Sequence, residues 1–295
     1  MKRSVYPKPN NPPGSCRLGD WLADARLALS TLPNEPVSSL YALCAHILTQ
    51  PAYWPQAHPE YQLSPEQVEI LDQLFQQLLS GEPLPYLLEN QSFYGLDFFV
   101  NEHVLIPRPE TELLVDFALQ WVAQHPRATR AADVGTGSGC IAVALAKPNP
   151  NLSFIATDIS FNSLLVARRN RSRHLLDERI GLIQCDLLAG LTGPFDLICA
   201  NLPYIPSDKL ETLAVARHEP LNALDGGPDG LRQIERLLEQ SERCLNPGGL
   251  ILLEIEASQS ETIKPVIYRH FPRAGVTIMP DLNQLPRLAI IETGL

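Results

Sequence analysis

Hydrophobic residues early in the chain recur at helical spacing. Ser64-Pro65-Glu66-Gln67 supplies an N-cap, a first-turn proline and a Gln at the third helical position. Val68, Leu71, Leu74, Phe75 and Leu78 follow on one face, and Gly81 stops the run. Residues 21–29 and 37–48 carry similar amphipathic patterns, so residues 20–81 read as a small all-helical domain. Residues 1–19 show no hydrophobic period, and ten of the 27 prolines lie in the first 65 residues; the first 19 are expected to be a disordered or loosely docked tail. The aromatic run Ser92-Phe93-Tyr94-Gly95-Leu96-Asp97-Phe98-Phe99-Val100 then predicts a hairpin within a linking segment, 82–108. A helix from about Glu110 follows, with Leu113, Leu114, Phe117, Trp121 and Val122 on one face.

From Ala131 the texture changes to short apolar runs alternating with helical stretches. Strands are predicted at 131–134, 153–156, 180–184, 195–200, 250–255, 275–279 and 288–291. Such alternation implies an α/β domain, 109–295, built on parallel strands with crossover helices: an open, doubly wound, Rossmann-like sheet.

Composition narrows the function. With 23 Lys plus Arg against 33 Asp plus Glu, the net charge is −10, which argues against a protein that grips nucleic-acid phosphates. The longest apolar run, Cys140 to Ala146, has seven residues; no membrane association is expected, because a span needs about 18. Met1-Lys2-Arg3 leads into a proline-rich stretch instead of an apolar one, so export is not expected. Six cysteines without CxxC spacing and seven histidines without HxxxH or HxH pairs predict a cytoplasmic chain with reduced thiols and no metal.

Candidate chemistry begins at Asp133-Val134-Gly135-Thr136-Gly137-Ser138-Gly139, which closes the first strand of the domain and opens a helix near Cys140. Glycines at alternate positions let the backbone turn sharply and keep side chains away from a ligand. The third glycine falls at the fifth position, where the dinucleotide fingerprint GxGxxG has it at the sixth, and this favours S-adenosyl-L-methionine over NAD. Asp158 ends the next strand, where a carboxylate can accept from both ribose hydroxyls; it could equally cap the helix starting near Ser160. Asp186 follows the third strand, placed for an adenine amine with Leu187 as apolar cover, or else it starts a turn.

The fourth strand delivers Asn201-Leu202-Pro203-Tyr204. An amide or aniline-like nitrogen is a poor nucleophile because its lone pair is delocalised. If the Asn201 side-chain oxygen and the Leu202 carbonyl accept its two N–H bonds, the nitrogen is held facing the methyl group; the Asn201 amide can also donate on the cofactor side, and Tyr204 can stack on the planar group. Displacement at a sulfonium methyl needs in-line placement more than a strong base.

With these residues in view the sequence resembles the HemK/PrmC family, the glutamine amide methyltransferases of peptide chain release factors. The resemblance runs from Asp20 onward, and its most specific stretches are Val104-Leu105-Ile106-Pro107-Arg108-Pro109-Glu110-Thr111-Glu112 and Phe93-Tyr94-Gly95-Leu96-Asp97-Phe98. The segments Glu219-Pro220-Leu221 and Leu224-Asp225-Gly226-Gly227-Pro228-Asp229-Gly230-Leu231 belong to it too. The family implies an N-terminal helical domain that helps dock the release factor and a domain that methylates the Gln of a Gly-Gly-Gln tripeptide. It would also place Arg108 near the cofactor and acceptor pocket; Pro109-Glu110-Thr111-Glu112 otherwise reads as a plain helix start, with carboxylates at the positive end of the dipole. Three positions depart from the family: Leu202 replaces a usual Pro in the acceptor motif, and Glu256 and Gln284 replace usual glycines.

The expected enzyme is therefore a protein-glutamine N-methyltransferase acting as a monomer on release factors. Because the acceptor motif also resembles that of rRNA adenine dimethyltransferases, a nucleic-acid adenine methyltransferase is the alternative. The acidic charge and the preceding helical domain favour the protein substrate.

Overall fold

The computed structural model describes residues 16–30 and 35–294. They fall into two compact units that divide between Glu89 and Asn90.

In the first unit Cys16–Arg17 (β1) pairs antiparallel with Gln62–Leu63 (β2). The helices are Leu18–Leu29 (α1), Ser38–Leu48 (α2), Trp54–Ala57 (α3), Pro65–Leu79 (α4) and Leu84–Leu87 (α5). The capping box at the start of α4 forms: Gln67 N–H donates to Ser64 Oγ at 3.2 Å, and Ser64 N–H donates to Gln67 Oε1 at 2.9 Å. Apolar faces of α1, α2 and α4 meet through Leu22, Leu40, Leu43, Leu71 and Phe75, and the Trp21 indole N–H reaches Asp72 at 2.8 Å. Of the stretch read as a tail, residues 1–15 lie outside the described residues, while 16–19 belong to β1 and α1. The one-turn α5 carries the helical unit past Gly81 to Glu89.

The second unit opens with a hairpin, Gln91–Phe93 (β3) and Leu96–Phe98 (β4). Its turn residues Tyr94 and Gly95 both have positive φ, 52° and 68°, as a two-residue type I′ connection requires. Glu112–Gln124 (α6) leads into Arg130–Val134 (β5), Cys140–Ala146 (α7), Ser153–Asp158 (β6), Phe161–Arg173 (α8), Ile180–Gln184 (β7) and Phe195–Ala200 (β8). A short parallel pair, Ile205–Pro206 (β9) and Asp225–Gly227 (β10), precedes Arg232–Ser241 (α9), Leu245–Glu254 (β11), Ile263–His270 (α10), Gly275–Pro280 (β12) and Pro286–Glu292 (β13).

Seven strands join in the order β12-β13-β11-β8-β5-β6-β7. Alternate residues of a strand serve opposite faces. Ala131, Leu197, Leu250 and Leu252 pack with α6 and α7, whereas Ala132, Ile198, Ile251 and Leu253 pack with α9 and α10. The expectation of a parallel sheet holds from β7 to β11 and fails at β13, which runs antiparallel to both β11 and β12. The reason is the connection: residues 281–285 between β12 and β13 are too few for a crossover, which takes a dozen or more. The chain steps outward from β5 through β6 to β7 and then returns to place β8 on the other side of β5. That reversal opens a crevice at the carboxyl ends of β5 and β8, where open α/β sheets bind ligands. Among the described residues no helix is long and apolar enough to cross a membrane.

Candidate active site

The loop after β5 is shaped by three left-handed glycines, with φ of 70° at Gly135, 54° at Gly137 and 81° at Gly139. A Cβ at Gly139 would stand 3.3 Å from that of Ala167, so this glycine lets α7 approach α8 closely. A Cβ at Gly137 would meet only open space, so there the main chain itself faces the crevice. Beneath the loop Asp133 is fully buried: its Oδ2 accepts from Thr136 Oγ1 at 2.6 Å and from Ala142 N–H at 3.1 Å, while Oδ1 has no partner among the described residues. Burial pushes its carboxyl up to about 6 against the opposing pull of those two hydrogen bonds.

Asp158, at the end of β6, accepts from Gly137 N–H at 2.9 Å through Oδ2 and from Ser160 N–H at 2.8 Å through Oδ1. It thus ties the glycine loop to β6 and supports the start of α8, and burial raises its pKa. Two bonds do not exhaust a carboxylate's four lone pairs. Asp186 is held by Arg236 at 2.5 Å, beside the buried Leu187.

The segment before α6 is strapped down from two sides. Buried Asn170 on α8 accepts Phe99 N–H at 2.7 Å and donates to Phe99 O at 2.9 Å and Ser138 O at 2.8 Å, joining segment and glycine loop. Ser163 Oγ donates to His103 O at 2.9 Å. Buried Glu219 accepts Ile106 N–H at 3.1 Å and forms an ion pair with Arg108.

At the end of β8, Asn201 Nδ2 donates to Thr111 Oγ1 at 3.1 Å, and Thr111 Oγ1 donates to Glu254 Oε2 at 2.6 Å. The other oxygen of Glu254 accepts from the Tyr204 hydroxyl at 3.3 Å. Burial raises the pKa of both Glu254 and Tyr204. With its amide nitrogen engaged, Asn201 keeps its side-chain oxygen for a ligand.

One cavity collects most of the predicted residues: Arg108, Gly135, Thr136, Gly137, Ser138, Asp158, Asp186, Leu187, Asn201, Leu202 and Pro203 line it, together with Thr111. Gly139 and Tyr204 do not. The first caps α7, and the second reaches Glu254 from beside the cavity. Sequence reasoning named Asp133 and Glu219 only as members of motifs, without a role, and assigned nothing to Asn170 or Glu254. A carboxylate between Leu253 and Ile255 in an apolar strand was the available signal for Glu254, since such a group is rarely buried without a partner or a task. Both late departures from glycine are accommodated: Gln284 adopts φ 63°, and Glu256 caps a 3₁₀ turn through Ser258 N–H at 2.8 Å. Among the described residues no group of three His, Cys, Asp or Glu could hold a metal.

A family model for the methyltransferase small domain matches residues 111–218, and one for the PrmC N-terminal domain matches residues 20–88. The release factor glutamine methyltransferase of Chlorobaculum tepidum is 35% identical over 265 residues, covering 86% of this chain and 89% of that protein. The chain belongs to the release factor glutamine methyltransferase family. Another relative of that name, from Geobacter sulfurreducens, is 41% identical over 204 residues, 68% of this chain and 70% of that one. A methyltransferase structure from Pyrococcus furiosus superposes with a TM-score of 0.51 at 20% identity over 79% of this chain and 100% of that one, a likeness of fold. Of the three straps, that of Glu219 falls within the run from Val104 to Glu112, at Ile106 and Arg108, while Asn170 and Ser163 hold Phe99 and His103 just before it.

Proposed function

We propose that this chain transfers the methyl group of S-adenosylmethionine to the side-chain amide nitrogen of the Gln in the Gly-Gly-Gln tripeptide of peptide chain release factors. The observation that carries the reading is the acceptor oxygen of Asn201 on the wall of a cavity that the glycine loop also lines.

The residues present fit the donor. Gly137 leaves open space where a side chain would stand, and Asp158 and Asp186 bring acceptor oxygens to the wall for hydroxyl and amine donors. Leu187 supplies apolar cover. S-adenosylmethionine, when bound, supplies an electrophilic sulfonium methyl. What the chain's own groups do is hold the incoming nitrogen. Asn201 Oδ1 and the Leu202 carbonyl accept its two N–H bonds, fixing it in a near-attack orientation, and exclusion of other rotamers lowers the entropic part of the barrier. Asn201 and Pro203 act on the acceptor directly, Pro203 by biasing the preceding residue to extended geometry, and stacking by Tyr204 on the planar amide requires its ring to turn toward the cavity from its place beside Glu254. Arg108, fixed by Glu219, flanks the acceptor side. The methylated nitrogen sheds its proton after transfer, so no strong base is needed.

Residues 20–81 serve recognition of the release factor more than chemistry, since the motifs assigned to the donor and acceptor all lie beyond them. The enzyme acts in the cytoplasm, as a monomer, without binding nucleic acid; its net charge of −10 supports the last point.

Intact-mass measurement of a release factor after incubation with the enzyme and S-adenosylmethionine tests the reading. One added methyl group on the Gly-Gly-Gln protein and none on a Gly-Gly-Ala control is the expected result. Methylation of an adenine-containing RNA in place of the protein would overturn it.

A further inference from the structure

Thr111 has one hydroxyl proton and stands between two groups that bear on its use. Its Oγ1 lies 2.6 Å from Glu254 Oε2 and 3.1 Å from Asn201 Nδ2, and both Thr111 and Glu254 are buried to 2% exposure. Burial raises the Glu254 pKa, while two donating hydroxyls, Thr111 and Tyr204, and the nearby Arg287 charge favour its ionised form. As a carboxylate it can only accept, so it takes the Thr111 proton, Thr111 is left with lone pairs toward Asn201, and Asn201 meets them with its NH2 group. The reversed amide would set Oδ1 against Oγ1, acceptor against acceptor, in a site where an unmatched polar group is costly. The second carboxylate oxygen is occupied by the Tyr204 hydroxyl at 3.3 Å, which fixes Glu254 in place.

We propose that Glu254, acting through Thr111, sets the direction of the Asn201 amide, so that the site presents an acceptor oxygen and selects a substrate that donates N–H, a primary carboxamide in preference to a carboxylate. The inference rests on the reading that Asn201 orients the acceptor. Thr111 and Glu254 are positioning residues in it; neither touches the reacting atoms.

Polarity can be reversed and restored. In Glu254→Gln the new amide can donate to Thr111, which then donates to Asn201 Oδ1 and turns the Asn201 NH2 toward the incoming nitrogen. In Asn201→Asp two carboxylates compete for one Thr111 proton. In the double variant the introduced amide donates to Thr111, and Thr111 donates to the introduced carboxylate. The remaining oxygen of that carboxylate again accepts from the substrate.

The experiment is single-turnover methyl transfer to a release factor, with S-adenosylhomocysteine affinity and thermal melting measured on the same proteins. Each single variant should lose at least about tenfold in rate, the size of a lost transition-state hydrogen bond or less, and the double variant should be roughly tenfold faster than the product of the two losses. Thr111→Val should lose a similar factor and Thr111→Ser should recover most of it, with donor affinity unchanged throughout. Multiplicative losses in the double variant would overturn the relay. If the Glu254 variants unfold, the Thr111 pair decides: equal rates for Thr111→Val and Thr111→Ser overturn it equally. Asn201→Ala at full rate defeats the acceptor reading itself, which separates that failure from failure of the relay.

Discussion

Glu219 holds Arg108 with one carboxylate oxygen and the main-chain N–H of Ile106 with the other, bridging 111 and 113 residues of sequence. With Asn170 and Ser163 at its other end, this buried side chain sets the height of the segment that forms one wall of the cavity. Glu219→Ala leaves the Ile106 N–H without its acceptor, at a cost of ~1–3 kcal/mol. In a unit of this size each kcal/mol lowers Tm by about 2–4 °C. Calorimetric melting should show a fall of several degrees, and the KM for the release factor should rise as Arg108 becomes mobile. An unchanged Tm would show that the segment is held by other contacts.

Asn201→Ala removes the oxygen assigned to the acceptor amide while leaving the glycine loop intact. Turnover should fall ~10²–10³-fold, if deletion of an oxyanion-hole donor is a fair guide. The loss belongs in kcat, with little change in donor affinity by titration calorimetry.

Asp133 predicts a pH signature. Burial raises its carboxyl to about 6 in the fold, against an ordinary value of 3.8 when unfolded. Between these values the native state holds a proton that the unfolded state has released, so stability declines as pH rises through that window, by roughly 2–3 kcal/mol. Asp133→Asn keeps the shape and cannot titrate. Denaturant melts of the variant between pH 4 and pH 7 should lack this component of the decline; a curve parallel to that of the parent protein would assign the effect elsewhere.

Gln284 sits at φ 63°, a left-handed conformation that costs a non-glycine residue about 1–2 kcal/mol. Part of that is recovered by Gln284→Gly, since glycine is also more flexible when unfolded. A gain of ~0.5–1 kcal/mol is expected, read as a rise of a few degrees in Tm. A fall would mean that the Gln284 side chain makes a compensating contact.

Much of this fold is legible because the physics is local. Ile180–Gln184 and Phe195–Ala200 are short apolar runs between helical periods, and their observed bounds match the expected ones. β11 begins at Leu245, ahead of the expected residue 250, because the turn-like Asn246-Pro247-Gly248-Gly249 is absorbed as an irregular register against β8. Strand direction at β13 is invisible to periodicity, which is the same for parallel and antiparallel pairs; the brevity of residues 281–285 carried that information instead. In the site, Gly135, Asp158 and Asn201 stand at strand ends and announce themselves. Asn170 lies within an ordinary-looking helix between arginines, and its role arises only from what α8 packs against. Glu219 and Thr111 likewise acquire partners 111 and 143 residues away, a separation no local pattern encodes.

Leu202 comes close to Gly135: a Cβ at residue 135 would lie 3.0 Å from Leu202 Cδ2. Leu202, where the family resemblance leads one to expect proline, therefore leans on the donor loop, and the two positions share one space. A side chain at 135 is strained by its φ of 70° and asks the tip of Leu202 to give by a few tenths of an ångström. Leu202→Pro would relieve only the contact and leave the strain. Acceptor motif and donor loop thus share one small space across 67 residues of sequence, and a library that randomises one while freezing the other samples only what its neighbour leaves room for.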